Sequence, residues 1–297
     1  MAESAPNLSV IIPVYNDAGL LEGCLEALAQ QSYPGKFETI VVDNGEIFSL
    51  EAIARRFPNV NFLWEPTPGS YQARNYAIRR SRGEVLAFTD ADCRPHRDWL
   101  TNGVRALVAD PGIGLVGGRV SVVQSTQGRP AMAELFDIVT AFPQKMYIET
   151  GNFAVTANMI TRRKVIEQIG EFNAQLKSSG DKDFGVRVAA AGYRLVYVDD
   201  AVVEHPARSS NDEIFRKIRR SVGGSRDREP DWVSCMRFAI RFAIPPRRAI
   251  WHALTVRDPQ LTVGKRIGVV GYCVLANWTR SVERVRLQIS KAASARE

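Results

Sequence analysis

A wound α/β fold, with a mixed but mainly parallel sheet flanked by helices, is predicted by three features of the chain. Short β-branched runs alternate with segments of helical periodicity, carboxylates stand where the runs end, and the composition suits one sizeable core. The first run, Leu8-Ser9-Val10-Ile11-Ile12-Pro13, reads as a buried strand that opens into a loop at its proline. Leu21, Cys24, Leu25 and Leu28 then recur at helical spacing, and Tyr33-Pro34-Gly35 stops the helix. Phe37–Asp43 is a second strand ending in a carboxylate. The rhythm continues with a helix over 49–57, a strand at Val60–Trp64, a helix at Ser70–Arg80 and a strand at 85–89. Parallel strands joined by helices require right-handed crossovers, and such sheets bind ligands beyond the carboxyl ends of their strands. Asp43 and Asp90 stand at those ends.

After Asp92 the pattern loosens. It predicts a helix over 99–109, a strand over 113–123, a helix-like stretch from 131 and a turn-rich piece at 151–160, so the sheet is expected to become mixed. Short helices at 164–169 and 184–191 precede a strand at 194–198 and a segment at 201–205. Beyond His205, 214–220 reads as a basic helix and 223–228 as a mobile loop. The apolar stretch 267–278 is shorter than the ~20 residues that span a bilayer.

With 297 residues, 45% hydrophobic and 24% charged, the composition excludes disorder, a collagen-like repeat and a polytopic membrane protein. Cys24, Cys93, Cys235 and Cys273 form no C-x-x-C pair, which points to free thiols rather than a zinc site or a disulfide framework. Residues 1–7 do not resemble a secretory signal, so a cytoplasmic location is expected. The net charge of +7 is uneven: residues 206–297 hold 19 Lys/Arg against 8 Asp/Glu, while the rest is slightly acidic. Such a tail suits nucleic acid, anionic lipid or a phosphorylated substrate, and composition alone does not choose.

Within Glu84-Val85-Leu86-Ala87-Phe88-Thr89-Asp90-Ala91-Asp92 an apolar strand runs into two carboxylates spaced two apart. Desolvating two like charges is costly without a cation, and hard oxygen ligands of this kind suit Mg²⁺ or Mn²⁺. The alternative is a turn, or a cap for the helix near Trp99.

Val10-Ile11-Ile12-Pro13-Val14-Tyr15-Asn16, Val41-Val42-Asp43-Asn44, Ala73-Arg74-Asn75 and Asp90-Ala91-Asp92, in that order, resemble the motifs of glycosyltransferase family 2. The resemblance covers about residues 8–207. It implies a GT-A fold, a nucleoside-diphosphate-sugar donor and inversion at the anomeric carbon. Carried over, it places Pro13, Tyr15, Asn16 and Asp43 around the donor's base and ribose, with a strand-end turn as the other reading of Asp43. Arg74 falls on the diphosphate or orients a carboxylate, unless it is a solvated helix-face arginine. Asp92 becomes the metal ligand, with Asp90 assisting. Ser179-Gly180-Asp181-Lys182-Asp183-Phe184-Gly185-Val186-Arg187 is similar to the family's later acidic segment, which makes Asp181 the general base for the acceptor hydroxyl and places Asp183 on the acceptor side. For either aspartate, helix capping is the other reading. Gly180 departs from the pattern, which usually has glutamate there. His205 matches a histidine that some GT-A enzymes contribute to the metal or diphosphate; before Pro206 it can equally be structural.

The expected organisation is therefore a catalytic domain over 1–207 and a basic helical extension over 208–297. Arg237, Arg241, Arg247 and Arg248 interleave with Trp232, Phe238, Ile240, Phe242, Ile244 and Trp251, a mixture that suits either an anionic membrane surface or packing on the catalytic domain. The former makes the protein peripheral on the inner face of the plasma membrane. The expected partners are a UDP- or GDP-sugar and a glycan or lipid-linked acceptor in cell-surface or exopolysaccharide synthesis. Absence of Q-x-x-R-W favours addition of a single sugar. No nucleic-acid partner is expected, because the basic residues follow no reader motif. Two rival readings are a nucleotidyltransferase, against which the lack of a glycine-rich phosphate loop counts, and a non-catalytic nucleotide-sugar-binding protein.

Overall fold

The computed structural model describes residues 5–15, 18–45, 50–258 and 260–290. In chain order the elements are β1 (Leu8–Val14), α1 (Ala18–Ala29), β2 (Phe37–Asp43), α2 (Glu51–Arg56), β3 (Val60–Trp64), α3 (Ser70–Arg80), β4 (Val85–Phe88), β5 (Arg94–Pro95), α4 (Trp99–Val108), β6 (Ile113–Val123), α5 (Met132–Thr140) and α6 (Gln144–Gly151). They continue with β7 (Met159–Arg162), α7 (Arg163–Ile169), α8 (Gly180–Ala190), β8 (Arg194–Pro206), α9 (Asn211–Arg228), α10 (Trp232–Ala243), α11 (Arg247–Thr255) and α12 (Val263–Ser290).

Among the described residues the strands form one eight-stranded sheet in the order β3-β2-β1-β4-β7-β6-β8-β5. β3, β2, β1 and β4 are parallel, while β7 runs antiparallel to both β4 and β6, and β5 antiparallel to β8. The strand order reverses between β1 and β4, which opens a crevice at their carboxyl ends. Both faces of the central strands are covered, so their side chains divide by the two-residue period. Val10 and Ile12 of β1 and Ala87 of β4 enter one core cluster, whereas Ile11, Leu86 and Phe88 enter the other. The chain forms two compact units. The first comprises Met1–Ser121, Pro143–Gln175 and Gly180–His205.

Several local readings need correction. β1 does not stop at Pro13 but runs to Val14, with Pro13 paired to Val42. The carbonyl of Ile11 accepts from Thr89 N on the β4 side, so the nitrogen of Pro13, two residues on, faces the same side beyond the end of β4, where no ladder bond is lost. The segments 194–198 and 201–205 are a single strand, β8. The turn-rich piece at 151–160 ends in β7, a strand with no distinctive alternation. Residues 223–228, read as a loop, are the last turns of α9. Gly224 serves close packing there, since a Cβ would lie 2.7 Å from Ser178 Cβ. α8 begins at Gly180 rather than 184, with Asp181 and Asp183 in its acidic first turn.

The start of α8 is fixed from α3. Tyr71 Oη accepts hydrogen bonds from the backbone N–H of Gly180 at 2.8 Å and of Asp181 at 3.4 Å, two donors that a helix leaves without intrahelical partners. Its ring stacks on Phe172, which contacts Phe88 and Phe184 in turn. Asn75 holds the Phe172 backbone in both directions, donating to its carbonyl at 2.8 Å and accepting from its N–H at 3.1 Å.

The second unit consists of Val122–Phe142, Leu176–Ser179 and Pro206–Glu297, and so reaches back before residue 208. Ala133, Leu135, Phe136 and Val139 of α5 share a core with Ile214 and Ile218 of α9, Ala253 of α11, and Val269, Cys273 and Leu287 of α12. Ser210 and Glu213 close a capping box at the start of α9. Among the described residues no helix is long and apolar enough to cross a membrane.

A Cβ at Gly180 meets Tyr71 ring atoms at 2.7 to 2.9 Å. Gly180→Ala is therefore expected to destabilise the protein by about 1–3 kcal/mol in urea unfolding, and less when Tyr71→Ala is already present. An equal penalty in both backgrounds defeats this account.

Candidate active site

The residues singled out from the sequence collect beyond the carboxyl ends of β1, β2 and β4. Tyr15, just past β1, leaves its ring 54% exposed. Asn16 lies outside the described residues. Asp43 ends β2 and is buried, and its Oδ1 accepts from the N–H of Gly45 at 2.9 Å, so the turn role exists. Asn44 binds the next loop, donating to the carbonyls of Glu65 and Thr67 at 2.7 and 2.8 Å and accepting from Gly69 N at 2.7 Å.

Arg74 is no solvated helix-face arginine: on α3 it is buried, and its guanidinium forms an ion pair with Asp90 just after β4. Its Nε has no hydrogen-bond partner among the described residues, and the guanidinium lies 5.9 Å from the centre of the Tyr71 ring. Asp181 belongs to the same electrostatic cluster. Burial pushes its carboxyl pKa up, the Lys182 backbone N–H and the charge of Arg74 pull against this, and the charge of Asp90 pushes the same way as burial. Tyr71 also holds its proton more tightly than an ordinary tyrosine, first through burial and then through Asp181. Two carboxylates from distant parts of the chain thus meet one buried guanidinium.

Asp92 faces His205, with Nε2 3.3 Å from Oδ2. Asp92, His205 and Cys93 offer donor atoms within 4.8 Å of one another. A carboxylate oxygen with an imidazole nitrogen fits Mn²⁺ or Mg²⁺ completed by phosphate and water oxygens. Cys93 is the soft member of that group, and its sulfur suits a hard cation less well than the carboxylate oxygen does. β5 helps set this pair, because its pairing of Arg94 with Glu204 lays the chain beyond Asp92 against the end of β8 that carries His205.

Asp183 forms an ion pair with Arg187 at 2.9 Å one turn along α8. Arg187 in turn donates to the carbonyls of Ile169, Gly170 and Glu171. Asp183 therefore helps anchor α8. Sequence reasoning missed Tyr71, whose place against Gly180 lies 109 residues along the chain. The one hint was the glycine at 180, where a larger residue was expected.

The family model described as Glycosyl transferase family 2 matches residues 9–170. The chain is 39% identical over 229 residues to glycosyltransferase AglE of Haloferax volcanii, covering 75% of this chain and 74% of that protein. It is 28% identical over 218 residues to an N-acetylglucosaminyltransferase of Rhizobium meliloti, covering 67% of this chain and half of that longer protein. Among solved structures, a mannosyltransferase from Pyrobaculum calidifontis in complex with GDP-Man and Mn²⁺ superposes with a TM-score of 0.64 at 21% identity, over 97% of this chain and 90% of the other. S. aureus TarS 1-349 superposes at 0.53 and 18% identity, over 96% and 92%. These two establish a shared GT-A architecture. With more than half of its length matched by the family model and three quarters of it aligned to AglE, the chain belongs to glycosyl transferase family 2.

Proposed function

We propose that the protein is an inverting, metal-dependent glycosyltransferase that moves one sugar from a UDP- or GDP-sugar to a hydroxyl of a glycan or lipid-linked glycan in cell-surface or exopolysaccharide synthesis. The observation that carries this reading is the gathering of Asp181, Arg74 and Asp90 around one point at the β1/β4 switch, beside the Asp92–His205 pair.

Asp181 is the general base. A neutral alcohol is a weak nucleophile, and a carboxylate within hydrogen-bond reach, made more basic by burial, takes its proton as attack begins. The acceptor oxygen bonds to the anomeric carbon while the bond from that carbon to the diphosphate oxygen breaks on the opposite face. The electron pair leaves with the nucleoside diphosphate, and the proton stays on Asp181. Tyr71 positions the base by holding the N-terminus of α8. Asp90 keeps Arg74 oriented, and Tyr15 offers its exposed ring to the donor's base. Asp92 and His205 would hold Mn²⁺ or Mg²⁺, which supplies charge neutralisation to the leaving diphosphate.

The second unit suits attachment at an anionic bilayer. Trp232, Ile240, Ile244 and Trp251 are 53 to 70% exposed, beside exposed Arg237, Arg241, Arg247 and Arg248.

Asp181→Asn is expected to lower transfer by roughly 10²–10⁴-fold while donor binding survives. The same substitution raises the thermal midpoint at neutral pH. A carboxyl whose folded pKa is raised contributes stability below its unfolded pKa and loses it as pH rises through the folded value, so ionised Asp181 is a burden at pH 7 that asparagine removes. An unchanged transfer rate rules out the base assignment. In a thermal-shift titration, a UDP- or GDP-sugar should stabilise the wild type only with Mn²⁺ or Mg²⁺ present, and that dependence should vanish in His205→Ala; equal shifts with and without metal contradict the metal reading. In sedimentation with vesicles, the chain should bind those containing phosphatidylglycerol and release at high salt. The double substitution Arg247→Glu/Arg248→Glu should weaken binding, each charge near the surface being worth about 1 kcal/mol.

A further inference from the structure

The second unit holds a cationic cluster that the transfer chemistry does not use. Asp137 of α5 lies at its floor and is almost fully buried. Its Oδ2 accepts from the backbone N–H of Arg208 at 3.0 Å and from Arg208 Nη1 at 3.1 Å. Lys217 of α9 stands with Nζ 3.8 Å from Asp137 Oδ1, too far for a hydrogen bond. Both cations lie against one aromatic ring, Phe142, with Nζ 4.5 Å and the guanidinium carbon 5.9 Å from its centre. Phe142 has φ of 50°, the left-handed region that an aromatic side chain seldom enters, and such strain persists where a site needs the resulting geometry.

The donors of this cluster are largely unspent. Among the described residues Lys217 Nζ donates no hydrogen bond, and of the Arg208 guanidinium only Nη1 does so. Their side chains are 31% and 21% exposed, so an entering oxygen ligand can reach them. The surroundings are over-positive as well. Lys217 is lowered to about 7 by burial and then by the charges of Arg208, of Arg220 on α9 and of Arg280 on α12, with Asp137 alone opposing. Asp137 satisfies one edge of the cluster, and a compact dianion with several acceptor oxygens would satisfy the other.

We propose that Arg208 and Lys217, packed on Phe142 above Asp137, form a binding subsite for a phosphate or diphosphate group. A lipid phosphate, a nucleoside diphosphate and free pyrophosphate share this chemistry. The subsite stands independently of the transfer reading, because it is tested by binding without turnover.

The test is titration calorimetry on the full chain in EDTA, which removes metal-assisted binding, with pyrophosphate, UDP, GDP and geranylgeranyl phosphate as probes and geranylgeraniol as the uncharged control. At least one phosphate probe should bind, Lys217→Gln should weaken it by roughly tenfold or more, and Lys217→Arg should restore it. Preference for geranylgeranyl phosphate identifies a lipid source, preference for UDP or GDP a nucleotide source, and equal binding of all four a site for the phosphate group alone. Binding should also take up protons near pH 7.5, as the anion returns the amine to its charged form. Nitrogen NMR of Lys217 in the wild-type protein follows that change without any variant. No binding by any phosphate probe, identical affinity in Lys217→Gln, or a Lys217 resonance unmoved by saturating phosphate overturns the proposal.

Discussion

Everything at the first unit's site depends on one buried guanidinium. Arg74 sits below the protein surface on α3 with Asp90 bonded to it and Asp181 within reach of its field. Two carboxylates so placed repel each other, and burial further disfavours the charge of Asp181. The guanidinium makes the pair tolerable without neutralising it, because burial still prevails at Asp181. Burial raises the basicity of the Asp181 carboxyl, and the nearby cation limits that rise. Neither effect alone sets the balance.

The backbone around that guanidinium is held with corresponding care. Asn75, next to Arg74, fixes the Phe172 backbone, Phe172 supports the Tyr71 ring, and Tyr71 holds the first turn of α8. The consecutive run Ala73-Arg74-Asn75 thereby serves both the charge and the helix that bears Asp181. Gly180 completes the contact by leaving room for the ring. Its departure from the family pattern is accounted for by packing, since the space a glutamate would need is filled by Tyr71.

Much of this was legible in the sequence. The strands β1 to β4 and their helices followed from apolar runs buried on both sides and from Gly/Pro punctuation, because local pattern and final environment agree there. That Asp92 and His205 lie together could not be read from spacing, since a strand pairing joins them. What escaped was decided by partners far along the chain. β7 pairs with β4 and β6 at long range, and the glycine at 224 sits inside a helix where Ser178 leaves no room for a larger residue. Tyr71 carried no signal at all until Gly180 lay against it.

The composition of the second unit has a consequence for biosynthesis. Its core joins α5, translated before the first unit's sheet is complete, to α12 at the far end of the described chain. An apolar face of α5 must therefore wait through the synthesis of well over a hundred residues before α12 exists, which makes contacts of this separation slow to form and prone to trapping. Synthesis of α12, rather than emergence of the sheet, sets the moment at which that face can be fully covered, and a truncation that removes α12 would leave the early helix without that cover.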